Sequence, residues 1–119
     1  VNSHTIIEMH PQVLERLNAW AVGKSNVTII EGDWADLSLT DTYDGIFLDT
    51  FEDDNMYMSF KSFALDRAKS GGVITFWNNK SEEYDPLEFD SISYEQINVN
   101  PDSNTYFNHD TYFMPKVSV

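Results

Sequence analysis

Three acidic side chains follow three short apolar stretches of the chain. Glu8, Asp33 and Asp49 each come just after a run rich in β-branched or aromatic residues, as expected where a strand ends. In an open parallel sheet, ligands bind beyond the carboxyl ends of the strands, so we expect these carboxylates to converge on one site. The spacing therefore predicts a nucleotide-type ligand and a reaction.

Two of these acids fit contacts to a nucleoside. A strand-end carboxylate such as Glu8 can accept both hydroxyls of a ribose, although it could also be a solvated acid or a helix cap. Asp33 lies in the sequence Glu31-Gly32-Asp33-Trp34, where its carboxylate could accept a hydrogen bond from the exocyclic amine of adenine. Gly32 would allow close approach of the backbone, and Trp34 would form an apolar wall. The alternative is an ordinary turn with a surface aspartate and a core tryptophan.

Asp49 is the candidate for catalysis. A carboxylate at a strand end can orient a cationic or amine nucleophile and take its proton. Three further acids follow closely, Glu52, Asp53 and Asp54, and their position before a predicted helix favours its positive dipole end. We therefore interpret those three as helix-start residues and Asp49 as the functional one.

Metal sites and hydrolase sites have little support in the sequence. The histidines, His4, His10 and His109, lack a second ligand at zinc spacing, and the chain has no cysteine. The acidic run after Asp49 lacks the ligand spacing of a calcium loop. No serine lies in a G-x-S-x-G context, so a hydrolase nucleophile is not expected. We predict no metal ion in the site.

Hydrophobic patterning predicts the strands that position these residues. Strands are expected over residues 4–8, 27–31, 43–48 and 73–77, and their continuous apolar runs are typical of a parallel sheet covered on both faces. Further strands are expected over residues 92–99 and 111–117, forming a closing β-hairpin with a turn that begins at Pro101. Pro115 lacks a ladder donor, so the last strand is predicted to be at an edge or bulged. Residues 78–90 are predicted to be a polar loop.

Two helices are predicted between the strands. The first begins at Pro11, which suits a first helical turn, and stops near Gly23. The second would be capped by Asp53 or Asp54 and ended by Gly71-Gly72. Apolar residues at helical spacing mark both helices: Val13, Leu14, Leu17 and Trp20 in the first, and Tyr57, Phe60, Ala64 and Ala68 in the second.

Length and charge limit the class of protein. At 119 residues the chain is expected to be one domain, 1–119, with a nucleotide-binding α/β part over 1–78 and a loop with a terminal hairpin over 79–119. A net charge of −13 argues against nucleic-acid partners and would attract a cationic substrate. No apolar run is long enough for a membrane helix, no signal pattern is present, and the lack of cysteine favours the cytoplasm.

Four segments form a recognisable pattern when taken together. They are His4–Glu8, Glu31–Asp36, Tyr43–Thr50 and Ser70–Phe76, and Tyr112–Val117 fits a closing strand. In this order they resemble the class I S-adenosylmethionine-dependent methyltransferases, which have a Rossmann-like, mostly parallel α/β sheet with a closing antiparallel hairpin. Within that class the chain is most similar to the guanidinoacetate N-methyltransferase group.

The resemblance implies a cofactor, S-adenosylmethionine, and assigns residues to it. Glu8 would hold the ribose and Asp33 the adenine. The residues beside them would line the same parts of the cofactor: Met9, His10, Gly32 and Trp34.

The resemblance also implies a small-molecule substrate with a guanidino or amine nitrogen. Asp49 would bind that nitrogen beside the transferred methyl and assist its deprotonation. Lys80 and Ser81 stand where relatives place a small hydroxyl residue for the substrate carboxylate, and Lys80 could hold such a group or be a surface lysine.

The chain also departs from the family upstream of Glu8. The family's first strand, which lies between the strands ending at Glu8 and Asp49, and its glycine-rich loop have no counterpart before Glu8. We therefore expect the C-terminal part of a methyltransferase domain, inactive as an isolated fragment. Because a sheet without its central strand has unpaired edges, a homo-oligomer or a partner chain is expected to complete it.

Three functions remain open at this point. The first is an N-methyltransferase of a small guanidino or amine compound. The second is a non-catalytic, methyltransferase-like module that works by pairing with another chain. The third is a methyltransferase with a different small-molecule or protein acceptor.

Overall fold

The computed structural model describes residues 1–50, 54–102 and 107–119, and the side chains of 54–57 are outside that description. Its elements are β1 (His4–Glu8), α1 (Pro11–Ala21), β2 (Val27–Glu31), β3 (Tyr43–Leu48), α2 (Asp54–Arg67), β4 (Ala68–Phe76), β5 (Ile92–Asn98) and β6 (Thr111–Ser118). The chain divides into two compact units, Val1–Leu39 and Thr40–Val119. The expectation of one domain divided at residue 78 stays a prediction.

Unit 1 is a βαβ arrangement. Strands β1 and β2 pair in parallel with an unbroken register from His4 opposite Val27 to Glu8 opposite Glu31. Helix α1 connects them and packs against β2, with Leu14 buried on its inner side. Pro11 begins the helix as predicted, since its missing N–H would have no partner in a first turn.

Unit 2 contains a four-stranded mixed sheet in the order β3-β4-β6-β5. The pair β3–β4 is parallel, and β6 runs antiparallel to both of its neighbours. The predicted class, an α/β fold with parallel strands and a closing antiparallel hairpin, is confirmed.

The core of unit 2 lies on one face of this sheet, where α2 packs against β3 and β4. On the opposite face, Phe47 and Val73 remain 59% and 36% exposed, so the expected cover on both faces is absent at these positions. Among the described side chains, the buried apolar residues of unit 2 are Leu48, Phe60, Ala64, Ile74, Phe76, Leu87, Phe89, Pro115 and Val117.

The predicted end of the second helix was wrong. Helix α2 ends at Arg67, and Ala68 already pairs with Tyr43 as the first residue of β4, so Gly71-Gly72 belongs to a strand. The register shifts between Tyr43 and Gly45, and Gly71 has a φ of +83°. Helical spacing of apolar residues could not reveal this, because it continues through Ala68 while the strand pairing depends on Tyr43.

The last strand was predicted to be at an edge or bulged at Pro115; as a whole it is an inner strand, but its ladder with β4 stops before Pro115. Strand β6 lies between β4 and β5, and Pro115 pairs with Tyr94 of β5. The Val119 amide donates to the Gly72 carbonyl of β4 (3.1 Å). Because backbone N–H groups alternate between the two neighbouring strands, the nitrogen of Pro115 also faces β4. The β4–β6 register ends at Ile74 opposite Val117, and the Thr75 hydroxyl donates to the Pro115 carbonyl (2.7 Å). The Thr75 hydroxyl thus links β4 to β6 at the position where proline has no N–H to donate.

Several expectations lie outside the described residues. These are Glu52, the cap Asp53, the side chain of Tyr57 and the turn residues Ser103 and Asn104. None of the helices in the described ranges is long and apolar enough to cross a membrane.

The tight fit at Gly72 gives a test of the β3–β4 contact. A Cβ at this position would stand 2.8 Å from the Asp44 carbonyl oxygen and 2.9 Å from that of Lys69. Because backbone atoms must then shift, we expect Gly72→Ala to lower the free energy of unfolding by about 1–3 kcal/mol in urea titration. Gly45→Ala is the control, since its Cβ would lie 4.0 Å from the Val73 carbonyl oxygen. Equal stability of the two variants would contradict this packing.

Candidate active site

The residues predicted to bind the cofactor lie together in unit 1. Glu8 ends β1 and is paired in register with Glu31, the last residue of β2. The next amide along, that of Gly32, donates to the Glu8 carbonyl oxygen (3.0 Å). This bond brings the Gly32-Asp33-Trp34 segment beside the end of β1.

The Glu8 carboxylate is held in place by the backbone amides of the two residues that follow it. Its Oε1 atom accepts the amide N–H of Met9 (3.0 Å) and of His10 (2.9 Å), at the junction between β1 and α1. His10 is the N-cap residue of α1 and makes no side-chain cap bond. A carboxylate has about four acceptor positions, so these two bonds leave capacity for a ligand's hydroxyls. Glu8 therefore shapes the turn and can also bind.

The segment after β2 is a tight turn that requires glycine. Gly32 has a φ of +151°, and a Cβ there would lie 3.2 Å from Leu37 Cδ2. Asp33 Oδ1 accepts the Ala35 amide (3.0 Å), and the Asp33 carbonyl accepts the Asp36 amide (3.0 Å). Asp33 and Trp34 are both half-buried in this turn.

The donor and acceptor chemistry of this strand end suits a nucleoside. Two carboxylates, Glu8 and Asp33, are acceptor-only groups, and a ribose and an adenine amine both offer hydrogen-bond donors. The turn at Gly32 brings backbone close to the same place, and Trp34 adds an aromatic surface. The residues present thus fit the sugar and base of S-adenosylmethionine.

In unit 2, a similar bond closes the ends of β3 and β4. Leu48 pairs with Phe76, and the Trp77 amide donates to the Leu48 carbonyl oxygen (3.0 Å). Continuing the register by one step places Asp49 opposite Trp77. Leu48 and Phe76 are buried, so alternation places Asp49 and Trp77 on the other face of the sheet. Asp49 is exposed.

Asn78 organises the segment that follows β4. Its side chain is 1% exposed, and its amide donates to the carbonyls of Glu82 and Phe113, both at 3.0 Å. Its Oδ1 accepts the Lys80 amide (2.9 Å), and its own backbone N–H donates to the Tyr112 hydroxyl (3.1 Å). A buried amide with every group bonded fixes its neighbours strongly, so the start of the loop is locked to β6.

The predicted substrate residues Lys80 and Ser81 follow directly and are exposed. The Lys80 ammonium lies 5.6 Å from the centre of the Tyr84 ring, a cation–π contact within the same loop. Their contact with a substrate carboxylate stays a prediction.

The rest of the loop is anchored from inside. Asp85 accepts the amides of Leu87 (2.9 Å) and Phe89 (2.7 Å), and the Phe89 ring stacks on Phe76 at 6.4 Å. Burial, followed by the negative charges of Asp85 and Glu83, raises the pKa of Tyr94. The carboxylates of Asp85 and Glu83 therefore lie near Tyr94 of β5.

Aromatic side chains gather around the start of β6. Trp77 and Tyr112 stack with centroids 5.0 Å apart and planes 17° apart. Phe107 meets both rings edge-on, at 5.6 and 5.7 Å, and His109 meets Phe107 at 5.3 Å. Trp77, Tyr112 and Phe107 are half-buried. We call Trp77, Tyr112, Phe107 and His109 the aromatic cluster.

The structure thus sorts the predicted site residues by unit. Glu8, Met9, His10, Gly32, Asp33 and Trp34 lie in unit 1, and Asp49, Lys80 and Ser81 lie in unit 2. Their functional roles stay predictions. Within the described ranges, no three histidine or carboxylate side chains are placed to hold a metal ion.

Sequence reasoning missed Asn78, Trp77 and Tyr112. Trp77 was included only as the end of a strand, and Asn78 only as the start of a polar loop. An asparagine directly after a buried strand is the one signal that could have indicated an ordered loop, because asparagine both donates to and accepts from backbone.

Comparison with known proteins identifies the fold and the family. The guanidinoacetate N-methyltransferase family matches residues 1–99. No match was found among curated protein sequences.

Solved structures share the fold at low sequence identity. The N-methyltransferase NodS from Bradyrhizobium japonicum WM9 has a TM-score of 0.69 and 14% identity over 96% of this chain and 72% of its own. A Methanococcus jannaschii fibrillarin pre-rRNA processing protein has a TM-score of 0.61 and 17% identity over 96% of this chain and 55% of its own. The glycopeptide N-methyltransferase MtfA has a TM-score of 0.51 and 13% identity over 96% of this chain and 56% of its own.

The chain therefore covers little more than half the length of two of these three proteins. At such identities the likeness shows the α/β methyltransferase fold alone, and the family match carries further. By that match, the chain belongs to the guanidinoacetate N-methyltransferase family.

Proposed function

We propose that this chain supplies the cofactor and acceptor residues of an S-adenosylmethionine-dependent N-methyltransferase acting on a small guanidino or amine compound. The observation that carries the proposal is the bond from the Gly32 amide to the Glu8 carbonyl, which brings two carboxylates to one strand end. Family membership supports the same reaction class. The cysteine-free sequence supports a cytoplasmic location.

The cofactor would be held by unit 1. Glu8, with Oε1 already fixed by two amides, would accept the ribose hydroxyls without having to be ordered first. Asp33, fixed by the Ala35 amide, would accept the adenine amine. The remaining residues of this strand end would line the ligand: Met9, His10, Gly32 and Trp34.

The acceptor would be held by unit 2. When bound, the cofactor supplies a methyl group carried on a sulfonium. Asp49 would orient the acceptor nitrogen through a charge-assisted hydrogen bond and take the proton that this nitrogen loses on forming its new bond to carbon, while the carbon–sulfur bond breaks. Lys80 and Ser81 would hold a carboxylate at the other end of the acceptor, on a loop that Asn78 keeps ordered.

The first test concerns the cofactor residues. Hydrogen bonds to charged groups contribute about 1.5–3 kcal/mol, so we expect Glu8→Ala and Asp33→Ala each to weaken S-adenosylmethionine binding roughly 10- to 100-fold in calorimetry. Glu31→Ala is the matched control, because it removes a carboxylate from the same strand end without an assigned contact. If Glu31→Ala weakened binding as much as Glu8→Ala, the effect would be one of charge alone, and the assignment would fail.

The second test concerns Asp49. In the full protein that carries this chain, we expect Asp49→Asn to lower methyl transfer to guanidinoacetate by at least about 100-fold with cofactor affinity unchanged, because the amide cannot take a proton. Asp44→Asn is the control, since Asp44 lies in β3, the strand that precedes Asp49, and its carboxylate pairs with Lys69 at the surface (3.0 Å). Full activity of Asp49→Asn would remove Asp49 from this role.

We also propose that a further strand joins this chain, from a longer version of the sequence, a second copy or a partner chain. Among the described residues β1 pairs only with β2 and β3 only with β4, which leaves one edge of each without a ladder partner. Exposed parallel edges seek pairing. The unpaired edges of β1 and β3 also favour the second candidate function, a module that works by pairing with another chain.

The expected result for the isolated 119 residues is self-association. Sedimentation equilibrium at micromolar concentration should give a mass of a dimer or larger, because a second copy satisfies the edge donors and acceptors. A longer polypeptide that includes both an upstream strand and this chain should give a single folded species. A stable monomer of 13.7 kDa would contradict the proposal.

A further inference from the structure

We propose that Trp77, backed by Tyr112, is the surface on which the acceptor's planar cation stacks, and that Trp77 sets the preference for a guanidinium over a compact ammonium. The inference rests on the proposed function, because it concerns the acceptor that Asp49 would bind. It assigns to the aromatic cluster a role that the sequence did not suggest.

The first support is position. The Trp77 amide donates to the Leu48 carbonyl, so Trp77 and Asp49 are the neighbouring residues that follow two paired parallel strands. Alternation places both on the face opposite the buried Leu48 and Phe76. A carboxylate and an indole next to each other at a strand end can contact one cation together, the carboxylate by hydrogen bonds and the indole by its π-face.

The second support is rigidity. The Tyr112 ring stacks on the indole at 5.0 Å, and the Tyr112 hydroxyl is fixed by the Asn78 amide (3.1 Å). Asn78 is itself buried, and both the NH2 group and the Oδ1 atom of its side chain are hydrogen-bonded. The indole is thus held from behind by a chain of fixed contacts, and a pre-positioned surface loses little entropy when a ligand stacks on it.

The third support is the difference in burial between Trp77 and the residues of β4 that precede it. Ile74 and Phe76 are buried in the core, whereas Trp77 is only half-buried although it is larger. Trp77 therefore keeps solvent-accessible surface at the end of a strand whose preceding residues form the core.

Shape then selects among cations. A guanidinium is flat and can lie parallel to an indole while its edge N–H groups meet a carboxylate in a bidentate pair. An ammonium is compact and strongly hydrated, so it gains less from the same surface. Trp77 should therefore add more affinity for a guanidino acceptor than for an amine of equal length.

The test compares two probes and two substitutions in the full protein that carries this chain. The probes are guanidinoacetate and β-alanine, titrated with S-adenosylhomocysteine present so that no methyl is transferred. Trp77→Leu fills similar space without a π-face, and Trp77→Phe keeps a smaller one. Trp20→Leu is the control, because Trp20 is a half-exposed tryptophan of α1 in unit 1.

We expect Trp77→Leu to weaken guanidinoacetate binding about tenfold and β-alanine binding less than about threefold, so that the preference falls. Trp77→Phe should keep most of the preference, and Trp20→Leu all of it. Affinity for S-adenosylhomocysteine should be unchanged throughout.

Three outcomes would overturn the inference. They are an unchanged preference in Trp77→Leu, an equal loss for both probes, and no binding of guanidinoacetate by the unsubstituted protein. If cofactor binding is intact in the last case, the acceptor assignment alone fails. If cofactor binding is absent as well, the proposed function itself fails.

Discussion

One kind of hydrogen bond recurs at both strand ends that carry functional residues. The Gly32 amide donates to the Glu8 carbonyl, and the Trp77 amide donates to the Leu48 carbonyl, each at a distance of 3.0 Å. In both cases the first residue after one parallel strand bonds the last residue of its neighbour. Because paired parallel strands end at the same edge, this bond fixes which side chains share that edge. In this way Asp33 and Glu8 follow one pair of strand ends, and Trp77 and Asp49 follow another.

The segments beyond these strand ends are ordered by side chains acting on backbone. Glu8, Asp33, Asn78 and Asp85 each bond amides or carbonyls within a few residues, and each does so where regular structure stops. Such bonds replace the missing ladder partners and reduce the entropy that a ligand would otherwise have to remove. The same carboxylates that shape the turns in unit 1 are the ones proposed to bind the cofactor.

Much of this arrangement could be predicted from the sequence, and the failures have physical causes. The strands ending at Glu8, Glu31 and Leu48 were placed correctly because short apolar runs between polar turns define them. The predicted end of α2 was wrong and the inner position of β6 was not foreseen, since both depend on distant partners: Tyr43 pairs with Ala68, and Thr75 bonds the Pro115 carbonyl. The ordered loop around Asn78 was missed because its bonds reach Phe113, 35 residues away.

The central claim is that the end of the β1–β2 pair holds S-adenosylmethionine. Amide chemical shifts report this contact residue by residue, without requiring turnover or an identified acceptor. On titration with S-adenosylmethionine we expect saturable shifts for the amides of Met9, His10 and Gly32, whose bonds end at Glu8, and little change at Ile97 in the terminal hairpin. Shifts confined to other parts of the chain, or none at millimolar cofactor in the full protein, would contradict the account.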